Sequence, residues 1–410
     1  MEKKPDRQLN ALVIAPQPFF SPRGTPYSVY YRTLVTSELG VRIDLLTYGE
    51  GQDVDIPNVR IIRIPRLKFL GPIKIGPSLP KLVLDVLLVL WTIGLLLKNR
   101  YHFVHAHEEA VFFCRYLKPL FGFKLIYDMH SSLPQQLTNF KFTQSRFLIR
   151  LFQRIEDSCL KAADAVITIC PDLYEYVQRL MPHAAKNALI ENSIFEPVRL
   201  PGQPAPVSAG RSAGPGPDER LSERIAGKRL VVYAGTLEPY QGIDILIKAF
   251  RLAADANAEL FLLIVGGSRK QVDDYRALAD GAGLDGRVHF TGTVPQATAK
   301  HYSRLASVLV SPRSGGTNTP LKVYEQLASG IPLVASNIYS HTQVLTPDVA
   351  FLVEPTPEDM ARGIRRAVEP GGGGAAIAAS AQRLYEAKYS RPVYEAKLKS
   401  VLKELFACAA

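Results

Sequence analysis

The chain has 410 residues, 47% hydrophobic and 21% charged, a composition ordinary for a globular protein with a large core and a length that indicates two or three domains. Its four cysteines have neither metal-type nor paired spacing, which argues against a cysteine metal site or disulfide framework and indicates a reduced, cytosolic protein. The net charge is +11, and between residues 56 and 154 fifteen Lys and Arg face only four acids.

That basic region leaves several interpretations open. It is either a solvated surface or the binding face for nucleic acid, an anionic membrane or an anionic substrate. No recognisable nucleic-acid motif accompanies the charge, so we expect no nucleic-acid partner.

The chain opens with a predicted βαβ unit. Asn10–Ala15 is a short buried strand, a Pro/Gly loop follows, Tyr27–Leu39 has a helical pattern, and Val41–Thr47 is a second strand. The apolar run near the N-terminus is too short for a signal peptide. Gly24 lies in the loop after the first strand, where parallel sheets bind ligands, and would let the backbone approach a ligand closely.

Two further segments of the basic half are apolar as well as basic. After a strand over Val59–Ile64, a proline-broken segment leads to a helix over Leu82–Leu97, which is apolar nearly all round but shorter than the roughly 20 residues needed to span a bilayer. A basic amphipathic helix is predicted over Phe140–Ile155. Each helix either packs on its domain or lies on an anionic membrane, so residues 66–98 and 140–155 form the candidate membrane surface.

Polar residues follow two predicted strands of this half. The strand Phe103–Ala106 runs into His105, His107, Glu108 and Glu109, but a third metal ligand of equal weight is absent, so we predict that the histidines line a cleft and bind no metal. His130 follows the strand Lys124–Tyr127, at the edge where catalytic groups of α/β sheets collect.

The remaining chain predicts a linker and a second doubly wound sheet. A strand over Asp164–Ile169 and a helix over Cys170–Leu180 complete the first domain, 1–197, and residues 198–228 are rich in Pro, Gly, Ala and Ser, as in a linker or flexible insertion. Strands and helices alternate over 229–390, and a final helix over 391–410 is expected to pack back on the first domain. Strands of this second domain end at Gly235 and Gly266, so their loops converge on one crevice.

The most informative stretch is SPRSGGTNTPLKVYEQLASGIPLVAS, Ser311–Ser336. A polar loop leads into a helix over Pro320–Ser329, and a buried strand follows. The start of such a helix offers free N–H groups and a positive dipole end, which suit an anion. Lys322 and Glu325 share one face at spacing i, i+3, so a phosphate near the lysine and sugar hydroxyls near the glutamate form a suitable ligand.

This stretch resembles the donor-nucleotide signature of the family-four glycosyltransferases, in the variant P-L-K-x-[YF]-E-x-[LM]-A-[SA]-G-x-P-[LIV]-V-A. The resemblance implies an α/β fold of GT-B architecture, in which two Rossmann-like doubly wound domains face each other across a cleft. It implies that Glu325 binds the donor ribose, that His130 lies close to the donor sugar, and that the reaction retains the anomeric configuration without a metal. The usual signature has two glutamates eight residues apart, and Thr317 occupies the first position here.

A second departure concerns the donor phosphates. Many members hold them with an arginine and a lysine after the first strand of the second domain, where this chain has Thr236 or Leu237 and Gln241. We therefore predict that Arg313 and Lys322 replace that pair. The predicted catalytic residues are His130, Lys322 and Glu325. The predicted donor-binding residues are Gly24, Gly235, Thr236, Gly266, Val294, Arg313, Gly316, Thr317, Asn318, Lys322 and Glu325.

The sequence thus predicts a retaining glycosyltransferase that moves a sugar from a UDP- or GDP-linked donor to a glycan or lipid-linked acceptor in cell-envelope or polysaccharide biosynthesis. No cofactor is expected, and the protein is expected in the cytoplasm, with peripheral attachment to the inner face of the membrane as one option. Two alternatives stay open: a non-hydrolysing sugar-nucleotide epimerase and an inactive nucleotide-sugar-binding partner protein.

Overall fold

The computed structural model describes residues 8–21, 24–67, 79–132, 146–181, 187–196, 198–199, 201 and 219–407. These residues form two compact units. Unit 1 comprises the described residues of Met1–Asn192, Val198–Ala205 and Tyr394–Ala410, and unit 2 comprises those of Ser193–Pro197 and Pro206–Val393. Each unit contains one parallel sheet, so the prediction of two Rossmann-like domains is confirmed.

The sheet of unit 1 has seven strands: β1 (Asn10–Ala15), β2 (Arg42–Thr47), β3 (Val59–Arg63), β4 (Phe103–His107), β5 (Lys124–Met129), β6 (Ala165–Thr168) and β7 (Asn187–Leu189). Their order is β3-β2-β1-β4-β5-β6-β7, and every neighbouring pair is parallel. The order reverses between β1 and β4, which is where sheets of this kind bind ligands. The central strands β1, β4, β5 and β6 are almost entirely buried, as expected where helices cover both faces of the sheet, whereas the edge strands β3 and β7 are only partly buried.

The helices of unit 1 begin with α1 (Gly24–Glu38), α2 (Leu79–Lys98), α3 (Ala110–Phe121), α4 (Arg146–Ala162) and α5 (Pro171–Leu180). Helix α4 covers the second half of the predicted basic helix, whose first six residues lie outside the described part of the chain. It packs on the domain through Ile155, Cys159 and Leu160, while Arg150 and Arg154 are exposed.

Helix α2 has 20 residues and is longer than predicted. A stripe of Leu84, Leu88, Thr92 and Leu96 is buried against unit 1. The opposite face is apolar and exposed: Leu82 is 61%, Val86 61%, Leu90 57% and Leu97 73% accessible. Among the described helices, only this one is long and apolar enough to cross a membrane by length and composition. Of its most apolar 18-residue stretch, 22% is buried.

Unit 2 has a six-stranded sheet of β8 (Arg229–Ala234), β9 (Leu260–Val265), β10 (Val288–Gly292), β11 (Val308–Ser311), β12 (Leu333–Ser336) and β13 (Phe351–Val353). The order is β10-β9-β8-β11-β12-β13, again entirely parallel, with the reversal between β8 and β11. Its helices are α6 (Glu219–Ile225), α7 (Ile243–Ala256), α8 (Arg269–Gly281), α9 (Gln296–Arg304), α10 (Leu321–Ala328), α11 (Tyr339–Thr342), α12 (Pro357–Val368) and α13 (Gly374–Lys388).

The last helix is α14 (Arg391–Ala407), and its residues from Tyr394 onward belong to unit 1. Three contacts hold it there. The Tyr394 ring lies 5.0 Å from the Arg32 guanidinium, Lys397 Nζ lies 2.7 Å from Glu191 Oε2, and the rings of Phe406 and Phe103 are 5.9 Å apart.

Parts of unit 2 differ from the sequence prediction. The segment predicted as a linker contains helix α6, and Leu221 of this helix is buried in the core of unit 2. Helix α8 was not predicted, although its capping box is visible in the sequence: the Ser268 side chain accepts from Gln271 N, and the Gln271 side chain accepts from Ser268 N.

Candidate functional site

Glycines bring two strand-end loops of unit 2 close together. Gly235 follows β8 with φ +154° and Gly266 follows β9 with φ +118°. A Cβ on Gly266 would lie 2.0 Å from the Gly235 carbonyl oxygen, so only glycine fits at this approach. The loop after β10 joins them, because Thr293 Oγ1 donates to Gly267 O at 3.0 Å. Val294 is partly buried in the same loop.

Lys322 lies in the first turn of α10, beside these loops. Its ammonium is 4.1 Å from the centre of the Tyr233 ring and donates to Gln241 Oε1 at 3.3 Å. An ideal Cβ on Gly235 would lie 3.5 Å from Lys322 Nζ, so the lysine lies next to this loop. Burial, together with the charge of Arg313, lowers the pKa of Lys322 to about 7.

Arg313 donates hydrogen bonds to backbone carbonyls of the loop that leads into α10. Its Nε donates to Gly315 O at 2.6 Å and its Nη1 to Asn318 O at 3.2 Å. The guanidinium also lies 5.1 Å from the Tyr240 ring centre. Gly316, at φ +113°, passes so close that a Cβ there would lie 2.2 Å from Arg313 Nη2. Burial lowers the pKa of Arg313.

Within the described part of the chain, neither cation has an anionic partner. Across the described residues, no carboxylate forms an ion pair with Arg313 or Lys322. Helix α10 begins after Pro320, its N-cap residue, which makes no side-chain capping hydrogen bond. Two cations next to an uncapped helix start concentrate positive potential, and an anion bound there would relieve their mutual repulsion.

The other predicted residues of this loop and helix lie nearby along the chain. Thr317 is exposed; its carbonyl accepts from Gln343 Nε2, and its hydroxyl donates to Asn318 Oδ1 at 3.5 Å. Glu325 is half-buried one turn after Lys322, and burial raises its pKa against the opposing effect of Lys300. Thr236 is exposed, and its carbonyl accepts from Tyr233 Oη at 2.6 Å.

A buried histidine beneath this site was not predicted. His341 Nε2 lies 3.0 Å from Ser311 Oγ, and Nδ1 lies 2.8 Å from Ser336 O. Burial lowers the pKa of His341 to about 4, so the ring is neutral at neutral pH. A neutral ring that donates from Nδ1 accepts at Nε2, so His341 joins the ends of β11 and β12. An isolated histidine in a polar segment carries no sequence signal for this role.

Unit 1 holds a second polar cluster at the carboxyl ends of β4 and β5. His105, His107 and Asp128 are each no more than 2% exposed, and His130 is 4% exposed. The prediction that the two β4 histidines line a cleft is therefore wrong: both point into a buried network. The network also includes the buried Arg32 of α1, whose Nε lies 2.9 Å from Asp128 Oδ2.

The cluster includes three groups with ligand atoms close enough for a metal ion. Those of His105, His107 and Asp128 lie within 4.8 Å of one another. Asp128, however, already has the Arg32 guanidinium as its counter-charge, and a divalent cation beside that guanidinium would meet strong repulsion. The groups present fit an ion pair with hydrogen-bonded histidines better than a metal site.

The neighbouring acids and Gly24 complete the same edge. Glu109 pairs with Lys81, and burial reinforced by the Glu109 charge raises the pKa of Glu108 to about 7. Gly24 is the first residue of α1, and a Cβ there would meet no atom within 4 Å, so no neighbouring group in the described residues requires glycine at that position.

Two family models match the chain. Residues 217–390 match glycosyl transferases group 1, and residues 31–193 match a glycosyl transferase 4-like domain. The chain has the two domains of a GT-B glycosyltransferase.

Individual glycosyltransferases agree with this assignment. An uncharacterized glycosyltransferase of Methanocaldococcus jannaschii is 23% identical over 60% of this chain and 59% of its own length. A phosphatidyl-myo-inositol mannosyltransferase of Mycolicibacterium smegmatis is 32% identical over 34% of this chain and 35% of its own. The match thus spans less than two thirds of these relatives.

Solved glycosyltransferase structures share the whole fold. Sucrose-phosphate synthase from Thermosynechococcus elongatus has a TM-score of 0.73 at 19% identity, covering 98% of this chain and 100% of that one. Anabaena HepE in complex with UDP has a TM-score of 0.70 at 15% identity, covering 97% and 100%. These similarities show the GT-B fold.

Sequence reasoning missed several residues of this glycosyltransferase fold. Tyr233 beneath Lys322 reads as an ordinary core residue of β8, and Arg32 and Asp128 read as isolated charges in apolar segments. Gln241 was noted only as a departure from the family's lysine, and the structure shows that it accepts a hydrogen bond from Lys322.

Proposed function

We propose that this protein is a retaining glycosyltransferase of family four that binds a nucleotide-diphosphate sugar through the K-x-x-E variant of the donor motif. The pair Arg313 and Lys322 carries the proposal, because neither cation has a carboxylate partner in the described residues and both lie at the uncapped start of α10. A diphosphate supplies the missing charge. Glu325, one turn along the helix, accepts hydrogen bonds from the ribose hydroxyls.

In the proposed reaction, the bond between the anomeric carbon and the diphosphate oxygen breaks, and the acceptor oxygen bonds to the same face of the sugar. Negative charge develops on the departing diphosphate, where Lys322 and Arg313 stabilise it. The acceptor proton passes to that diphosphate, so the reaction requires neither a strong protein base nor a metal or other cofactor. His130 contacts the sugar substrate.

The donor carries UDP or GDP, and the acceptor is a glycan or lipid-linked glycan of cell-envelope or polysaccharide biosynthesis. The complexes of Anabaena HepE with UDP and UDP-glucose support a uridine donor. The similarity to phosphatidyl-myo-inositol mannosyltransferases supports a lipid-linked acceptor. An epimerase or an inactive partner protein is not favoured, because both family models describe glycosyltransferases.

A panel of UDP- and GDP-sugars, screened by thermal shift, tests the proposal. A donor at about 100 times its Kd stabilises the protein by about 2.7 kcal/mol, which raises Tm by several degrees. With the selected donor, nucleoside diphosphate should be released only when acceptor glycan is added, in the presence of EDTA, and the product should keep the anomeric configuration by NMR. Release without any acceptor would support the epimerase, and binding without turnover would support the inactive protein.

We also propose that unit 1 attaches to the inner face of the cytoplasmic membrane through α2. Its exposed leucines and valines form an apolar face, and Lys98 and Arg100 at its end are exposed. Apolar area adds affinity for the acyl boundary, and each basic residue contributes about 1 kcal/mol at an anionic surface.

Co-sedimentation with vesicles tests this attachment. Wild-type protein should bind phosphatidylglycerol-containing vesicles more tightly than neutral ones. The double variant Val86→Ser/Leu90→Ser should release it without loss of stability, because both side chains are exposed. Leu252→Ser, an exposed leucine of unit 2, serves as the control. Equal binding of all forms, or indifference to anionic lipid, would contradict the attachment.

A further inference from the structure

Helix α3 lies beside α2 on one face of the unit 1 sheet. The connections from β3 to β4, from β4 to β5 and from β5 to β6 all cross the parallel sheet in the same direction. Such crossovers are right-handed, so α2, α3 and α4 cover the same face. Helix α3 contacts both α2 and α4. Packed helices lie about 8–10 Å apart, so the outer sides of α2 and α3 form one surface.

The outer side of α3 is apolar, as is that of α2. Phe112, Tyr116 and Leu120 follow one another at four-residue spacing and form one row along the helix. Tyr116 is 64% and Leu120 76% exposed, whereas Cys114 and Leu117 on the opposite side are buried in the core. A helix on a protein surface usually has polar residues on its outer side, so this exposed apolar row indicates that a partner covers it.

The charges around this surface are basic. Residues 110–121 contain no Asp or Glu, and the only acid of α2 is Asp85, whose carboxylate accepts a hydrogen bond from the Tyr48 hydroxyl. Exposed basic residues lie at the end of α2 and on α4: Lys98, Arg100, Arg150 and Arg154. An apolar surface with basic margins matches an anionic bilayer in both hydrophobicity and charge.

Tyr116 has a polar edge that suits the boundary between lipid and water. The Arg115 guanidinium lies 4.4 Å from the centre of the Tyr116 ring, and its Nη2 donates to Tyr116 Oη at 2.5 Å. The pair therefore combines an apolar ring with a hydroxyl and a positive charge. Tyrosine is enriched at membrane interfaces for this reason, and a cation beside its hydroxyl is attracted to lipid phosphates.

We propose that α2 and α3 contact an anionic bilayer together. The surface that they form, called the α2–α3 surface, comprises Leu82, Val86, Leu90, Leu97, Tyr116 and Leu120. Its apolar side chains enter the acyl boundary, and the basic residues at its margins lie at the lipid phosphates. A second copy of the chain fits this surface less well, because two such surfaces face to face would bring their basic margins together. This inference rests on the proposed attachment through α2 and adds α3 to it.

Vesicle co-sedimentation measures the contribution of α3. Tyr116→Ser/Leu120→Ser should bind phosphatidylglycerol-containing vesicles on the order of 10- to 100-fold more weakly than wild type. Its Tm should be unchanged, because both side chains are exposed in the free protein. Leu252→Ser/Leu305→Ser changes two exposed leucines of unit 2 and is the matched control, which should bind as wild type.

The single tryptophan of the chain gives a second, direct readout. Trp91 lies on α2 and is 36% exposed. Trp91→Phe/Tyr116→Trp moves the fluorophore to α3, and brominated acyl chains in the vesicles should then quench its emission. Trp91→Phe/Tyr339→Trp, at an exposed tyrosine of unit 2, should not be quenched. Unquenched emission from position 116, with wild type quenched under the same conditions, would overturn the proposal.

The contact through α3 and the attachment through α2 can fail separately. Wild-type binding by Tyr116→Ser/Leu120→Ser, with loss of binding by Val86→Ser/Leu90→Ser, would restrict the contact to α2 and overturn this inference alone. If neither variant weakens binding, the attachment through α2 fails as well. Light scattering should give a monomer without vesicles, and a dimer that Tyr116→Ser/Leu120→Ser dissociates would assign the surface to a second copy and overturn the proposal. No nucleotide sugar is required, so these results are independent of the proposed reaction.

Discussion

Replacing Lys322 with methionine tests the donor site most directly. Methionine keeps an extended side chain over the Tyr233 ring and removes only the ammonium. A hydrogen bond to a charged group contributes about 1.5–3 kcal/mol, so the nucleotide sugar should bind roughly 10- to 150-fold more weakly. The free variant should be at least as stable as wild type, since the buried ammonium has no anionic partner in the described structure.

The pH dependence sharpens this prediction. The pKa of Lys322 is about 7 in the free protein, and a bound diphosphate should raise it. Above pH 7, binding must then take up a proton, so affinity should fall by up to about tenfold per pH unit. Below pH 7 the lysine is already charged, and affinity should level off. A nucleotide sugar suits this measurement, since its diphosphate does not titrate in this range.

Isothermal titration calorimetry of UDP-glucose, or of the donor that the thermal-shift panel selects, measures both quantities. Runs at pH 6.5, 7.5 and 8.5 in two buffers of different ionisation heat give the proton uptake, which should approach one at pH 8.5. Lys322→Met should abolish the uptake, whereas Lys248→Met, at an exposed lysine of α7, should behave as wild type. Wild-type binding without proton uptake, or unweakened binding by Lys322→Met, would refute the reasoning.

Three further changes follow from the structure. Glu325→Gln should weaken donor binding by about 1–3 kcal/mol. A donor with a 2′,3′-dideoxyribose should bind wild type and variant equally in competition titrations, because it lacks the hydroxyls that Glu325 contacts. Gly266→Ala should lower the free energy of unfolding by about 1–3 kcal/mol in urea titrations, because its Cβ would strike Gly235 O, whereas Gly281→Ala has open space and should be neutral or stabilising. The free energy of unfolding should fall as the pH falls from about 6.5 to 4, because His341 and His130 take up protons in the unfolded chain while both rings, with a pKa of about 4, stay neutral in the folded protein. His341→Gln should reduce this dependence of the free energy of unfolding on pH by up to about 1.4 kcal/mol per pH unit.

Local patterns predicted most of the fold. Short apolar runs that end in glycine predicted the strands β8 and β9, and helical spacing predicted α10. The positions of Lys322 and Glu325 followed from i, i+3 spacing on a short helix. These features depend on neighbours a few residues away, so a single sequence contains them.

Contacts between distant segments could not be predicted in the same way. Arg32 and Asp128 are 96 residues apart, and neither position has a periodicity that points to the other. His105 and His107 are buried beside Asp128 of β5 and Arg32 of α1, and the pattern of β4 does not reveal these neighbours. The hydrogen bond from Arg313 to Gly315 O depends on the backbone conformation of the loop, which has no sequence periodicity from which it could be predicted.

Both sheets are entirely parallel, and this has a consequence for how the protein folds. At the centre of unit 1, Asn10 N bonds to His102 Nδ1 across 92 residues, and in unit 2, Leu230 N bonds to Ser307 Oγ across 77. Such pairings require the closure of long loops, whose entropy cost precedes the stabilising contacts. The fold therefore has a high contact order, and we expect it to form slowly. The strand ends that carry Gly235 and Arg313 come together only when β8 meets β11, so a nascent chain should gain donor affinity late and in one step.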